Sequence, residues 1–280
     1  MANKIPRVPV REQDPKVRAT NFEEVCYGYN VEEAQLEASR CLNCKNPRCV
    51  GACPVSVKIP QFISEVAAGN FTRAAEIIAE DSSLPAVCGR VCPQETQCEG
   101  SCILGIKGEP VGIGRLERFA ADTHMKNGDT TVEKPVSNGH KAAIVGAGPA
   151  GLSATWFLIK QGYQVKIFEK SDKVGGALNL IPTYRLPYEV IEDDWNYIKS
   201  MGDGEIEFNC QIDNPTDLFN QGFDGIIMAI GEQNAIDLGI DGEEHIVSYY
   251  DYLSNPSLYS LISKSRLSCI FFLNSICKFS

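Results

Sequence analysis

The chain has 280 residues, a net charge of −10, 44% hydrophobic and 22% charged residues, enough length for two modest domains with cores of their own. Acidity without a long basic run argues against a nucleic-acid partner. The N-terminal MANKIPRVPVREQDP lacks an apolar signal core, and the most apolar late stretch, SCIFFLNSIC, is too short and polar to span a membrane, so a cytoplasmic, membrane-free protein is expected.

In chain order, Val31 to Ser39 carry helix formers and deliver Cys41 near the helix end. Next comes RCLNCKNPRCVGACPV, with Cys41, Cys44, Cys49 and Cys53 spaced C-x2-C-x4-C-x3-C-P. A helix with Pro60 in its first turn stops at Gly69. Another follows, with Phe71, Ala74, Ala75 and Ile78 at helical spacing. The stretch SSLPAVCGRVCP is expected to break into a loop, and VCGRVCPQETQCEGSC adds Cys88, Cys92, Cys98 and Cys102. A last helix places Ile113, Leu116 and Ala120 on one face. The polar segment from Lys126 to Lys141, with Pro135 and two glycines, marks a domain boundary.

Eight clustered cysteines in a reducing compartment point to metal rather than disulfides. Structural zinc usually takes two CxxC-like pairs separated by a longer span. The first group is closer to the ferredoxin run C-x2-C-x2-C-x3-C-P, whose fourth cysteine serves the other cluster, so iron–sulfur is the better reading and zinc the alternative. Short helices with cysteine-bearing loops would bring thiolates together and offer backbone N–H groups to the sulfurs. Cys26, Cys210, Cys269 and Cys277 stand alone, the first two as buried thiols.

Beyond the boundary, KAAIVGAGPAGLSATWFLIKQGYQVKIFEKS reads as strand, glycine-rich turn, helix and a second strand ending in an acid. Gly146, Gly148 and Gly151 fit G-x-G-x-x-G. They serve the tight turn, the approach to a pyrophosphate and helix–strand packing. Glu169, 18 residues after Gly151, is placed to hold a ribose hydroxyl pair. The fingerprint does not separate FAD from NAD.

These stretches, with VGIGRLERFAAD, VGGALNLIPTYRLP and DGIIMAIG, resemble the small subunit family of NADPH-dependent glutamate synthase. That family is related to the N-terminal half of dihydropyrimidine dehydrogenase and to the larger subunit of NADH-dependent ferredoxin:NADP oxidoreductase. The resemblance implies an α/β protein: residues 1–127 an all-helical domain with two [4Fe–4S] clusters, 128–141 a linker, 142–256 an incomplete Rossmann-like FAD domain. It further implies that Cys41, Cys44, Cys49 and Cys102 hold one cluster and that Cys53, Cys92 and Cys98 hold the other, with Glu117 as fourth ligand. Cys88 is then a bystander, whereas a plain count of four plus four makes Cys88 a ligand and Glu117 a surface acid.

The resemblance places FAD pyrophosphate at Gly146, Gly148 and Gly151 and the adenosine ribose at Glu169. Gly175, Gly176 and Leu178 would lie along the cofactor, Arg185 would face the flavin pocket, and Gly231 would close the strand returning toward FAD. One departure is Leu180, where the family has glycine. Residues 257–280, with seven serines and no acid or proline, do not continue the family pattern and read as a divergent tail of a truncated chain. In the complete family NAD(P)H reduces FAD, and electrons leave singly through the clusters to a partner subunit or acceptor protein. No side chain is required as an acid or base. NADPH oxidation by this chain alone is not expected, since only one pyrophosphate cradle is visible; the alternatives are an electron-transfer module without flavin and a zinc-stabilised interaction domain.

Overall fold

The computed structural model describes residues 5–127, 134–232, 239–241 and 247–255. The N-terminal part holds a two-strand ribbon, β1 (Arg11–Glu12) against β2 (Cys26–Gly28), and the short α1 (Pro15–Arg18) between them. Otherwise it is helical: α2 (Val31–Ala38), α3 (Arg48–Gly51), α4 (Ile59–Ala68), α5 (Phe71–Ala79), α6 (Pro85–Val91) and α7 (Ile113–Asn127). Single 3-10 turns at Gln94–Thr96 and Ile103–Ile106 carry the second cysteine loop.

Local chemistry sets these boundaries. Asn30 and Glu33 form a reciprocal capping box at the start of α2. Gly69, at φ +84°, takes the left-handed cap that ends α4. The apolar faces of α4, α5 and α7 bury Phe62, Ile63, Ile78 and Leu116. Each such side chain stabilises by about 1.5–3 kcal/mol. Phe71 meets Phe119 edge-on at 5.0 Å, and Cys98 belongs to the same core.

Helix α6 corrects an expectation: residues 85–91 are helical, not a loop. Pro85 sits at its first position, where a missing N–H does no harm. The N–H groups of Ala86 and Val87 donate to Asp194 at 3.2 and 2.9 Å. That acid lies more than a hundred residues away, so no local pattern announces the cap.

The second part is a parallel sheet in the order β5-β4-β3-β6, built from β3 (Lys141–Val145), β4 (Gln164–Phe168), β5 (Gly204–Glu207) and β6 (Gly225–Met228). In register, Val145 pairs with Phe168 on one side and Met228 on the other. Helices α8 (Pro149–Lys160), α9 (Tyr188–Ser200) and α10 (Asp217–Asn220) accompany it, with α11 (Tyr249–Ser254) beyond. The expected strand, turn, helix and strand from Lys141 to Phe168 are all present. The proposed tail, 257–280, lies outside the described residues, as does most of the linker before Lys134.

One apolar core runs through both parts. Ala79, Leu84, Ala86, Val87 and Ala121 of the helical part pack in one cluster with Ile144, Leu152, Ile159 and Ile198 of the sheet part. Polar contacts reinforce the junction. Lys160 Nζ donates to the Glu80 carbonyl at 2.9 Å, the Ser83 and Ser153 hydroxyls meet at 2.8 Å, and Val25 N donates to the Tyr184 carbonyl at 2.9 Å.

Candidate iron–sulfur and dinucleotide sites

The two cysteine runs do not form two separate sites. Cys41, Cys44, Cys49 and Cys102 line one hollow of about 70 Å³, walled by Ile59, Ile63, Leu104, Val111 and Ile113. The loop that carries Cys41 is pinned next door. Buried Glu37 pairs with Arg40 at 2.5 Å and accepts from Val8 N and Gly112 N at 2.7 Å each. Arg40 in turn donates to the Glu109 and Pro110 carbonyls at 2.8 and 3.0 Å. These bonds tie the segment after Cys102 to the segment before Cys41. Burial pushes the Cys49 thiol up to about 11, with Cys102 and Cys41 adding to the shift. Cys41 is raised by burial too, then by Cys102 and Cys44.

Cys53, Cys92, Cys98 and Glu117 form a second neighbourhood. Burial raises Cys92 to about 11, with nearby Glu117 and then Cys53 adding to the shift. Cys98 is pushed up by burial, then by Glu117. The Glu117 carboxyl rises to about 8 through burial and the nearby Asp194. Cys92 Sγ donates to Gln97 Oε1 at 3.1 Å. Glu99, beside Cys98, pairs with Arg7 at 2.5 Å and accepts from Gly114 N at 3.2 Å, fixing the loop to the start of α7. Cys88 lies on α6, half-buried, and its thiol is raised by burial and then by Glu117 and Asp194.

Sequence reasoning missed the support behind this second group. Arg90 and Arg118, both nearly buried, share Glu24 and Asp122, at 2.8 to 3.4 Å. A Cβ on Gly89 would stand 2.6 Å from Arg118 Cα, so glycine lets α6 and α7 touch. The one sequence signal for α6 was Pro85 before a helix-compatible run.

Thiols that surround an apolar volume suit a multi-atom iron–sulfur group, whose ligands stand apart around a shared core. Among the described residues no three cysteine, histidine or carboxylate groups converge tightly enough to hold a single metal ion.

At the carboxyl end of β3 the chain turns through Gly146, Ala147 and Gly148 into α8. Gly146 has φ +107°, and a Cβ there would stand 2.4 Å from the Ala229 carbonyl oxygen. A Cβ on Gly151 would meet the Gly146 oxygen at 2.0 Å. The second glycine turn crosses the first: a Cβ on Gly176, at φ +52°, would be 2.9 Å from Gly148 Cα, and Gly175 N donates to the Ala147 carbonyl at 2.9 Å. Glu169 is buried at the end of β4. Its Oε2 accepts from Ala147 N at 2.7 Å, and its Oε1 accepts from Ser171 N and Oγ at 2.8 Å each. Close-packed backbone and a helix N-terminus make a cradle that fits a dinucleotide phosphate.

The other three expected cofactor residues have the following surroundings. Leu178 packs into the apolar core. Arg185 Nη2 donates to the Val91 carbonyl at 3.4 Å, beside Cys92. Gly231 is exposed at φ +69° with open space around it.

Comparison with known proteins agrees with both halves. Residues 18–129 match the family of dihydropyrimidine dehydrogenase domain II with a 4Fe-4S cluster, and residues 144–205 match an NAD(P)-binding Rossmann-like domain. The glutamate synthase [NADPH] small chain of Halomonas elongata is 35% identical over 248 residues, 85% of this chain and 52% of that protein. Its Escherichia coli counterpart is 33% identical over 242 residues, covering 85% and 51%. The E. coli NAD-dependent dihydropyrimidine dehydrogenase subunit PreT is 43% identical over 167 residues, covering 59% and 40%. The chain thus spans about half the length of the curated relatives it matches. No described helix is long and apolar enough to cross a membrane. By these matches the chain belongs to the family of the glutamate synthase small chain, with a helical 4Fe-4S domain followed by an NAD(P)-binding Rossmann-like domain.

Proposed function

We propose that this chain is the electron-relaying part of an NAD(P)H-dependent iron–sulfur flavoprotein that serves a partner subunit. Cys41, Cys44, Cys49 and Cys102 hold one [4Fe–4S] cluster. Cys53, Cys92, Cys98 and Glu117 hold the second, and Cys88 is not a ligand. The observation that carries this reading is the exchange between the two runs. Cys102 joins the first three cysteines around one hollow, and Cys53 of the first run lies near Cys92 of the second.

The second group faces the dinucleotide domain. Asp194 and Arg185 of that domain reach α6 and the carbonyl preceding Cys92. FAD, when bound, supplies the exchange between hydride and single-electron chemistry, and the clusters carry electrons singly. The protein's part is placement. The Gly146–Gly151 turn at the start of α8 would hold the pyrophosphate, Glu169 would stand near the ribose, and an apolar wall backs the first four thiols. No side chain is asked to move a proton. The acceptor, by analogy with the relatives, is a larger subunit.

Anaerobic purification with iron, sulfide and flavin analysis tests the reading. Brown protein with about eight irons and one FAD per chain is expected. Colourless protein with zinc overturns it. Iron and sulfide without flavin reduces it to an electron-transfer module.

A further inference from the structure

The hollow bounded by Cys41, Cys44, Cys49 and Cys102 opens at an exposed aliphatic surface. Leu42 at its mouth is 60% exposed and Ile103 is 47% exposed. Ile106, 63% exposed, lies three residues on in the same 3-10 turn, where side chains at that spacing eclipse, so the two isoleucines face one way. Large aliphatic side chains gathered in the open mark an interaction site. Arg48 also lines the mouth, with Lys45 on the same loop and Lys107 directly after the turn; all three are exposed. None of the three cations forms an ion pair among the described residues. This is a basic rim on a chain of net charge −10. None of the residues lining the hollow takes part in the junction with the dinucleotide domain.

We propose that this face docks an acidic one-electron acceptor protein. The aliphatic side chains supply the desolvated contact. Lys45, Arg48 and Lys107 steer the partner's carboxylates, as complementary charge does in electron-transfer encounters. The proposal rests on the reading that Cys41, Cys44, Cys49 and Cys102 hold a cluster. One electron then passes from the reduced cluster to the acceptor at the rim of its own site, with no bond made or broken and no proton moved.

The test uses the cluster-loaded protein, reduced with dithionite and freed of excess reductant. It is mixed in a stopped-flow instrument with cytochrome b5, an acidic haem protein whose ferric iron takes one electron. Cytochrome b5 reduction is expected to slow about tenfold or more from low to high salt, and by a similar factor in Ile106→Ser/Lys107→Glu. Reduction of duroquinone, a small neutral acceptor, should not change in that variant. If the double variant loses its clusters, Lys107→Glu alone and the salt series decide. Transfer to cytochrome b5 that ignores both salt and Lys107→Glu overturns the docking face alone. Absence of iron and sulfide in the unaltered protein overturns the cluster reading and the docking face together.

Discussion

At the residue scale the raised thiols make cluster loading a proton-releasing event. Ligands bind as thiolates, and Cys49 and Cys92 hold their protons up to about 11. Reconstitution of the apo-protein with iron and sulfide should therefore be more complete at pH 8.5 than at pH 6.5, read as absorbance in the visible band. Equal loading at both values would show that thiol protonation is not the barrier. Glu117 gives a second prediction. Glu117→Ala should alter or remove one of two EPR signals of the dithionite-reduced protein, while Cys88→Ala leaves both. The reverse pattern would make Cys88 the eighth ligand. The thiols were legible from spacing alone. That Glu117 sits half-buried beside Cys92 and Cys98 was not, because an acid in a helix looks the same whichever way it points.

At the scale of elements, α6 joins the two halves. Its first turn is capped by Asp194 from α9, and its last residue precedes Cys92. Burial lifts Asp194 to about 7, against the pull of the two N–H bonds and Arg90, and it lifts Glu117 to about 8. Both values exceed those of an unfolded carboxyl, so the folded apo-protein binds more protons than the unfolded chain between about pH 4 and 8. Its stability should fall as pH rises through that window. Thermal midpoints of the apo-protein at pH 5.5 and 8 test this; Asp194→Asn should flatten the dependence, and a midpoint that climbs with pH would contradict the burial argument. The glycine turn makes a sharper steric prediction. Gly151→Ala drives a methyl into the Gly146 carbonyl, 2.0 Å away. Overpacking of this kind destabilises by roughly 1–3 kcal/mol. A lower urea midpoint together with lost flavin is the expected outcome, and unchanged flavin content would mean the turn does not hold the cofactor.

At the scale of the molecule the shared core makes the two halves mechanically one. Val87 and Ala121 of the helical part pack with Ile159 and Ile198 of the sheet part, and Lys160 and Ser153 add bonds across the same junction. Calorimetry of the apo-protein should then show one transition; two well-separated transitions would mean the junction contributes little. Much of this was fixed by local pattern. The cysteine runs, the stop at Gly69 and the fingerprint from Gly146 to Glu169 are short-range features, set by turn sterics and hydrophobic period, and a linear text displays them. What the tertiary structure decided is every relation across distance. The helix at Pro85–Val91 depends on an acid over a hundred residues on, Arg185 is drawn to Val91, Leu178 is taken into the core, and Cys102 is folded back among Cys41, Cys44 and Cys49. Burial and long-range hydrogen bonds choose those partners, and neither quantity is a property of neighbouring letters.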